Sequence, residues 1–485
     1  MTIKDLNPSI VWNNFYNLTR IPRPSKKEGK AVEYLYEFGK SLGLETIKDE
    51  TGNIIIRKPA TPGMENRKGV ILQGHCDMVP QKNPDVEHDF EKDPIETWVD
   101  GDWVKAKGTT LGADNGLGVA MALSVLQSED LRHGPVEVLV TVDEETGMTG
   151  ANALKPGILK GDILINLDSE TEGELYIGCA GGLDASASVP YRSTAVPDGW
   201  HNAAMITVGG CKGGHSGMDI ILYRANANKL LARVLLPLVR DFGVKLASAE
   251  GGNMRNAIPR EASAVVLVPD GKAGEVDMYL HELQTVLKSE YQSTDPQLYV
   301  TMRTCGEPES CIADEDALRC LRVLLATPEG VERMSDQMPG LVETSNNTAI
   351  IKTEDGMFMI KTLMRSSVDS AKDLLAERMR AVVELAGGTV EFTGGYSGWA
   401  PNAASPILHT MQSVYERLYG AKPAVMAIHA GLECGILSGA YPHWDMVSCG
   451  PTIMSPHSPD ERLNIPSVKK CWNFLKAVLE AIPEK

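Results

Sequence analysis

Four short runs rich in Ile, Val and Leu set the strongest constraint on what this 485-residue chain can fold into. They are Asn53–Arg57, Gly69–Gln73, Val136–Val142 and Asp162–Leu167, each bounded by polar or glycine-rich turns. Runs this short and this continuously apolar read as strands buried on both faces, as in a parallel sheet covered by helices. Helical spacing accompanies them. Lys30–Gly43 sets Val32, Tyr34, Leu35, Phe38 and Leu42 along one side, and Asn115–Leu126 does so with Leu117, Val119, Ala120, Leu123 and Leu126. The alternation predicts an α/β domain with a mostly buried sheet.

The residues at the ends of these strands are the second constraint. Gly74-His75-Cys76-Asp77 comes directly after VILQ, Asp143-Glu144-Glu145-Thr146-Gly147 after VEVLVTV, and Asn166-Leu167-Asp168-Ser169 after DILI. Gly112-Ala113-Asp114-Asn115-Gly116 stands just before a helix. Open α/β sheets bind ligands outside the carboxyl ends of their strands, so these groups are placed to converge. Taken singly, each has a plain structural reading: a hydrogen-bonded His, a solvated Glu-Glu turn, a helix N-cap at Asp114. Jointly they match the demands of a two-metal hydrolytic centre. Such a centre needs imidazole and carboxylate ligands, a carboxylate shared between ions about 3.5–4 Å apart, and a further carboxylate as base. His75, Asp114, Glu145 and Asp168 supply ligands, and Glu144 supplies the base. A second imidazole is still required. His457 is the best placed, in the loop Ser455-Pro456-His457-Ser458-Pro459-Asp460-Glu461-Arg462 after the strand-like MVSCGP.

Charge excludes several classes of partner. With 47 Lys+Arg against 64 Asp+Glu the formal charge is −17, which opposes nucleic acid and anionic membrane surfaces. The longest apolar stretches, such as Ala264–Val268, fall far short of the ~20 residues that cross a bilayer. No basic and apolar leader pattern is visible in MTIKDLNPSIVWNN, and the nine cysteines include no CxxC pair. Reduced thiols in a cytoplasmic protein are expected.

The composition shifts near Cys179-Ala-Gly-Gly182, and the α/β rhythm returns after Gly394-Gly395. We therefore expect a catalytic α/β domain over residues 1–183 and 396–485, interrupted by an inserted α+β domain over 184–395. In the insert, strands are expected at Ala204–Val208, Ala262–Val268, Gln297–Met302, Met357–Leu363 and Thr389–Phe392, with helices at Ile221–Val239, Ala273–Leu287, Glu315–Leu325 and Ser370–Leu385. Two ferredoxin-like halves in tandem account for that pattern.

The segments GHCDMVP, TTLGADNGLGVA, VDEETG, NLDSE and SPHSPDERL, in that order, resemble the M20 family of dinuclear zinc peptidases. RKPATPGMENRKGVILQGHCDMVPQK, KGTTLGADNG and IGCAGG are similar to its aminoacyl-histidine dipeptidase (peptidase D) branch. The resemblance implies two Zn²⁺ per chain, with Mn²⁺ or Co²⁺ as substitutes. His75 and Asp168 would hold one ion, Glu145 and His457 the other, with Asp114 bridging and Glu144 as general base. Asp77 would fix the His75 imidazole, and the Asp114-Asn115 peptide would be cis. In the insert, expected to act as a lid, His215 in Gly213-Gly214-His215-Ser216-Gly217 would stabilise the oxyanion. Asn256 and Arg365 would take the substrate's carboxylate or carbonyl. The loop His429–Gly435 is expected to line the specificity pocket with Glu433 near the substrate's free amine; a helix-capping or structural role is the alternative.

The function implied is a cytosolic dipeptidase for unblocked dipeptides, preferring Xaa-His and carnosine-like compounds. A tripeptidase, carboxypeptidase or N-acyl amino-acid deacylase would share the chemistry. A non-catalytic binding protein on the hydrolase fold is the alternative of another class. Small peptides are the expected partners, with neither nucleic acid nor membrane, and a homodimer is an open alternative to a monomer.

Overall fold

The computed structural model describes residues 2–485, which divide into two compact units. The first comprises the chain as far as Gly178 together with Pro401–Ala427 and Leu432–Lys485. The second is Cys179–Ala400 with Ile428–Gly431. Against the expected borders at 183/184 and 395/396, the breaks lie at 178/179 and 400/401, and a four-residue stretch joins the second unit.

An eight-stranded sheet organises the first unit. Its spatial order is Glu45–Lys48, Ile54–Lys58, Val136–Thr141, Val70–His75, Ile163–Asn166, Asp445–Ser448, Glu174–Cys179 and Ala424–Ile428. The four strands ending at Thr141, His75, Asn166 and Ser448 run parallel to one another. The three from the N-terminal part are buried at every position, as two-sided burial of a parallel sheet requires. Their carboxyl ends therefore share one rim of the sheet.

The helix Ala113–Gln127 lies against these strands and is buried along nearly its whole length. Small residues permit the approach. A Cβ on Gly118 would lie 2.3 Å from the Leu167 carbonyl oxygen, and one on Gly74 would lie 2.2 Å from Asn115 Oδ1. Glycine at both positions lets the start of this helix reach the strand ends. A separate four-stranded sheet, in the order Ile453–Met454, Arg462–Asn464, Trp103–Ala106 and Thr97–Asp100, pins the hairpin whose loop carries His457. Among the described residues no helix is long and apolar enough to cross a membrane.

In the second unit, two βαββαβ patterns share one sheet. Asn202–Gly209, Lys245–Gly251, Ala262–Val268 and Tyr299–Thr304 form one, with helices Ala227–Asp241 and Ala273–Glu290. Gly181–Pro190, Val342–Glu354, Met357–Ser366 and Thr389–Tyr396 form the other, with helices Asp314–Ala326 and Asp369–Leu385. They join edge to edge where Glu250 pairs with Lys352 and Gly251 with Ile351. All four helices contribute to one core, Leu235, Leu280, Leu321 and Met379 packing with Ile206, Val266 and Ile360.

The second unit departs from expectation in two respects. The halves are nested, not in tandem: the first is inserted after the opening strand, Gly181–Pro190, of the second. The expected helix Ile221–Val239 is broken, with a short 3₁₀ turn at Ile220–Leu222 and the α-helix starting only at Ala227. Asn226 accounts for the break, its side chain accepting the N–H groups of Asn228 and Lys229 as an N-cap. The 13-residue strand Val342–Glu354 has no counterpart among the expected strands, because its buried stretch Glu343–Thr348 is polar and carries no apolar pattern.

Candidate metal centre and substrate-binding groups

His75 is the last residue of its strand and is 1% exposed. Asp114 begins the helix Ala113–Gln127 but takes non-helical angles there, and the Asp114-Asn115 peptide is cis. Its side chain does not cap the helix. It lies between two imidazoles, with Oδ1 3.2 Å from His75 Nε2 and Oδ2 3.1 Å from His457 Nε2. Asp168 Oδ1 stands 3.3 Å from His75 Nε2, and Glu145 Oε2 stands 3.0 Å from His457 Nε2. The five side chains thus form two imidazole–carboxylate pairs joined by one shared carboxylate. Glu144 Oε2 is 4.0 Å from His75 Nε2, beside this set.

Backbone conformation contributes to the placement. Asp143 (φ 53°) and His457 (φ 59°) are both in the left-handed region, an uncommon conformation for side-chain-bearing residues that clusters at functional sites. Asp143 turns the chain from the strand Val136–Thr141 into the single helical turn Glu144–Gly147. Asp77 then orients several parts at once. Its Oδ1 lies 3.2 Å from His75 Nδ1 and accepts Glu144 N–H at 3.0 Å. Its Oδ2 accepts Ser25 Oγ at 2.8 Å and Glu145 N–H at 3.2 Å. Burial opposes its ionisation, but the imidazole and these donors hold it down at about 2. An asparagine would turn its amide towards donors on one side. Asp77→Asn is expected to weaken metal binding about 10–100-fold, measured by zinc titration; unchanged affinity would remove Asp77 from this role.

The electrostatics are those of a cation site. Burial and the other carboxylates push Glu144 well above the ordinary range, although His75 pulls it down. Burial raises Asp168 to about 6. Hydrogen bonds to Asp114 and Glu145 raise His457 to about 11. Glu145 Oε1 is buried without a hydrogen-bond donor among the described residues. Buried carboxylate oxygens without donors are costly unless a cation faces them. Nitrogen and oxygen donors in this mixture suit zinc, manganese or cobalt. The residues present therefore fit the implied ions.

The second unit holds the other expected groups. His215, on the short strand Gly214–His215, accepts N–H bonds at Nδ1 from Gly217 (3.2 Å) and Met218 (3.1 Å). Burial and Arg365 push its pKa down, so the neutral ring carries its proton on Nε2 and presents a donor there. Arg365 is 5% exposed, its Nε 3.3 Å from Ser216 Oγ. Ser216 N–H donates to the Asn256 carbonyl, which sets the exposed Asn256 beside His215. His429 Nε2 is 2.7 Å from Ser345 Oγ, and burial with Arg365 holds this imidazole down at about 3.

Of the two readings of Glu433, the contacts described are of the structural kind. Glu433 is 1% exposed in the first turn of the helix Glu433–Ala440, and its Oε2 accepts Gln73 Nε2 at 2.5 Å and Thr141 Oγ1 at 2.6 Å. Its Oε1 is buried without a hydrogen-bond partner among the described residues. Arg23 and Glu461 are groups that sequence reasoning missed. Both are buried against the backbone that carries the cage, and a backbone-binding role leaves no pattern in the side chains that flank it.

Comparisons with known proteins place the chain in a family. The family described as peptidase family M20/M25/M40 matches residues 71–481. The chain is 45% identical over 483 residues to the cytosol non-specific dipeptidase of Escherichia coli, covering 100% of this chain and 99% of that protein. It is similar to the crystal structure of aminoacylhistidine dipeptidase from Vibrio alginolyticus, with TM-score 0.95, 46% identity and coverage of 100% and 99%. The aminopeptidase PepT structure from Bacillus cereus shares the fold, with TM-score 0.57 at 16% identity and coverage of 98% and 99%.

Proposed function

The chain belongs to peptidase family M20/M25/M40 and is a metallo-dipeptidase, and from that premise we propose a dinuclear zinc enzyme acting on unblocked dipeptides with a preference for Xaa-His. One observation carries the two-ion reading: Asp114 sets one oxygen towards His75 and the other towards His457, with Asp168 and Glu145 as their respective partners. His75 and Asp168 would hold one ion, His457 and Glu145 the other, and Asp114 both. Two zinc ions, when bound, would acidify a water and polarise the scissile carbonyl.

The remaining work falls to the chain's own residues. Glu144 takes the attacking water's proton on its carboxylate and returns it to the departing amine nitrogen. Asp77 keeps the backbone of Glu144 and Glu145 in register with His75. His215 offers its Nε2–H to the oxyanion, and Arg365 with Asn256 pairs the substrate's terminal carboxylate, for which a planar guanidinium is suited. Histidine preference is supported by the similarity to aminoacylhistidine dipeptidase. A cytoplasmic setting is supported by the name of the Escherichia coli relative.

A substrate panel tests the reading. β-Ala-His and other free Xaa-His dipeptides are expected to be cleaved, and N-capped forms to lose about 10–100-fold in kcat/KM, the worth of a charged hydrogen bond. Equal rates on capped dipeptides would point instead to a deacylase, and faster cleavage of tripeptides to a tripeptidase.

A further inference from the structure

A helix that begins with an aspartate ordinarily uses that side chain as its cap, because the first backbone N–H groups have no partner within the helix. The helix Ala113–Gln127 begins otherwise. No side chain of its own first turn caps it, and the Asp114 carboxylate points between His75 and His457. The vacant duty is taken by Glu461, 347 residues further along the chain. Its Oε2 accepts the N–H groups of Leu111 (2.7 Å) and Gly112 (2.9 Å), and its Oε1 those of Ala113 (2.8 Å) and Asp114 (3.3 Å). Four consecutive amides thus converge on one carboxylate that is 2% exposed.

The opposite face of the same loop is held by Arg23, also 2% exposed. Its Nη2 donates to the Gly112 carbonyl at 2.6 Å, while Nη1 donates to the carbonyls of Cys76 and Asp77 at 3.0 Å each. Gly112 is at φ 68°, and a Cβ there would lie 2.6 Å from Arg23 Nη2, so the loop admits the guanidinium only because the residue is glycine. Glu461 also stands four residues beyond His457 and immediately before the strand Arg462–Asn464, which pairs with Trp103–Ala106. The carboxylate that caps the Asp114 helix is therefore built into the segment that delivers the second imidazole.

We propose that Glu461 is a positioning residue: by capping the Asp114 helix from a distant segment it releases the Asp114 carboxylate to bridge two ions, and it sets His457 and Asp114 in mutual register. The inference rests on the dinuclear reading of the site. Without Glu461 the four amides need another acceptor, and Asp114, two residues from Gly112, is the nearest carboxylate able to fold back onto them. The bridge would be lost while the imidazoles remained.

Glu461→Gln and Glu461→Asp, each compared with the native chain, test this. Gln keeps the length but places an amide donor against the N–H groups, whereas Asp keeps the charge and loses reach. Both variants, stripped of metal, are first checked for native circular dichroism. Zinc titration is then expected to show two sites in the native chain, and in Glu461→Gln one site weakened about 10–100-fold, with a smaller loss in Glu461→Asp. The Co²⁺ spectrum should lose the intensity of the second ion. Turnover should fall at limiting zinc and recover in excess zinc, with KM for β-Ala-His unchanged. Native-like titration and spectrum in both variants would overturn the proposal, as would a KM rise without a change in metal affinity. If the native chain itself binds one ion, the dinuclear reading fails before any variant is compared. A Glu461→Gln chain that fails to fold leaves Glu461→Asp to decide the matter by the same two readouts.

Discussion

Replacing Glu144 by glutamine is expected to lower kcat by about 10²–10⁴-fold, the usual range for a lost general acid–base group, with both ions still bound. Glu144 lies 4.0 Å from His75 Nε2 and is joined to Asp77 through its backbone N–H, not its side chain. An amide of equal size therefore leaves the five side chains of the cage and the Asp77 bonds in place. What it removes is an oxygen able to take a proton. In the metal-free site, burial and the neighbouring carboxylates raise that oxygen's affinity for a proton well above the ordinary range. Metal content by elemental analysis and kcat on β-Ala-His give the readout. A Glu144→Gln enzyme near native activity would show that the base is elsewhere; loss of both activity and metal would make Glu144 a ligand.

Chelation should abolish activity, and Zn²⁺, Mn²⁺ or Co²⁺ should restore it; activity that survives thorough chelation would sink the mechanism. The stripped protein should also acquire a distinctive pH dependence. Burial raises Asp168 to about 6 and Glu433 and Glu461 to about 7, against unfolded values near 4. Between those limits the folded chain binds more protons than the unfolded one, so stability is greatest at the acid end and falls as pH rises. His457, raised to about 11 by Asp114 and Glu145, acts in the same direction: its contribution is complete below about pH 6.5 and declines above. Asp77, held at about 2, contributes evenly across this range. The thermal midpoint of the stripped chain should therefore fall from pH 5 to pH 8, and the gain on adding zinc should grow over the same interval. A flat profile with a constant gain would mean that these carboxylates are not buried together in solution.

Much of the site was legible because side-chain chemistry and strand periodicity are local properties. His75, Glu144, Glu145 and Asp168 lie at the ends of buried runs of sequence, and residues after parallel strands gather on one rim of a sheet. The nesting of the two halves in the second unit was not legible, since it depends on which strand edges pair. The strand Val342–Glu354 was hidden because its polar side chains are satisfied by carbonyls distant in sequence, as Asn347 is by those of Arg255 and Ala257. The two readings of Glu433 stayed open for a related reason: position in the chain does not tell that one of its oxygens is bonded to Gln73 and Thr141.

By itself the sequence determined the α/β class, the residue types of the cage and the hydrolytic chemistry that such donors support. Only the tertiary structure shows that the Asp114 carboxylate lies between two imidazoles and does not cap its own helix. An aspartate at a helix start has two competing partners, its own amides and any imidazole within reach, and sequence near Asp114 favours the first. The choice is made by Glu461 and Arg23, which occupy the amides and carbonyls of the Leu111–Asp114 turn from distant parts of the chain. Only when those backbone groups are satisfied is the Asp114 carboxylate free to face His75 and His457.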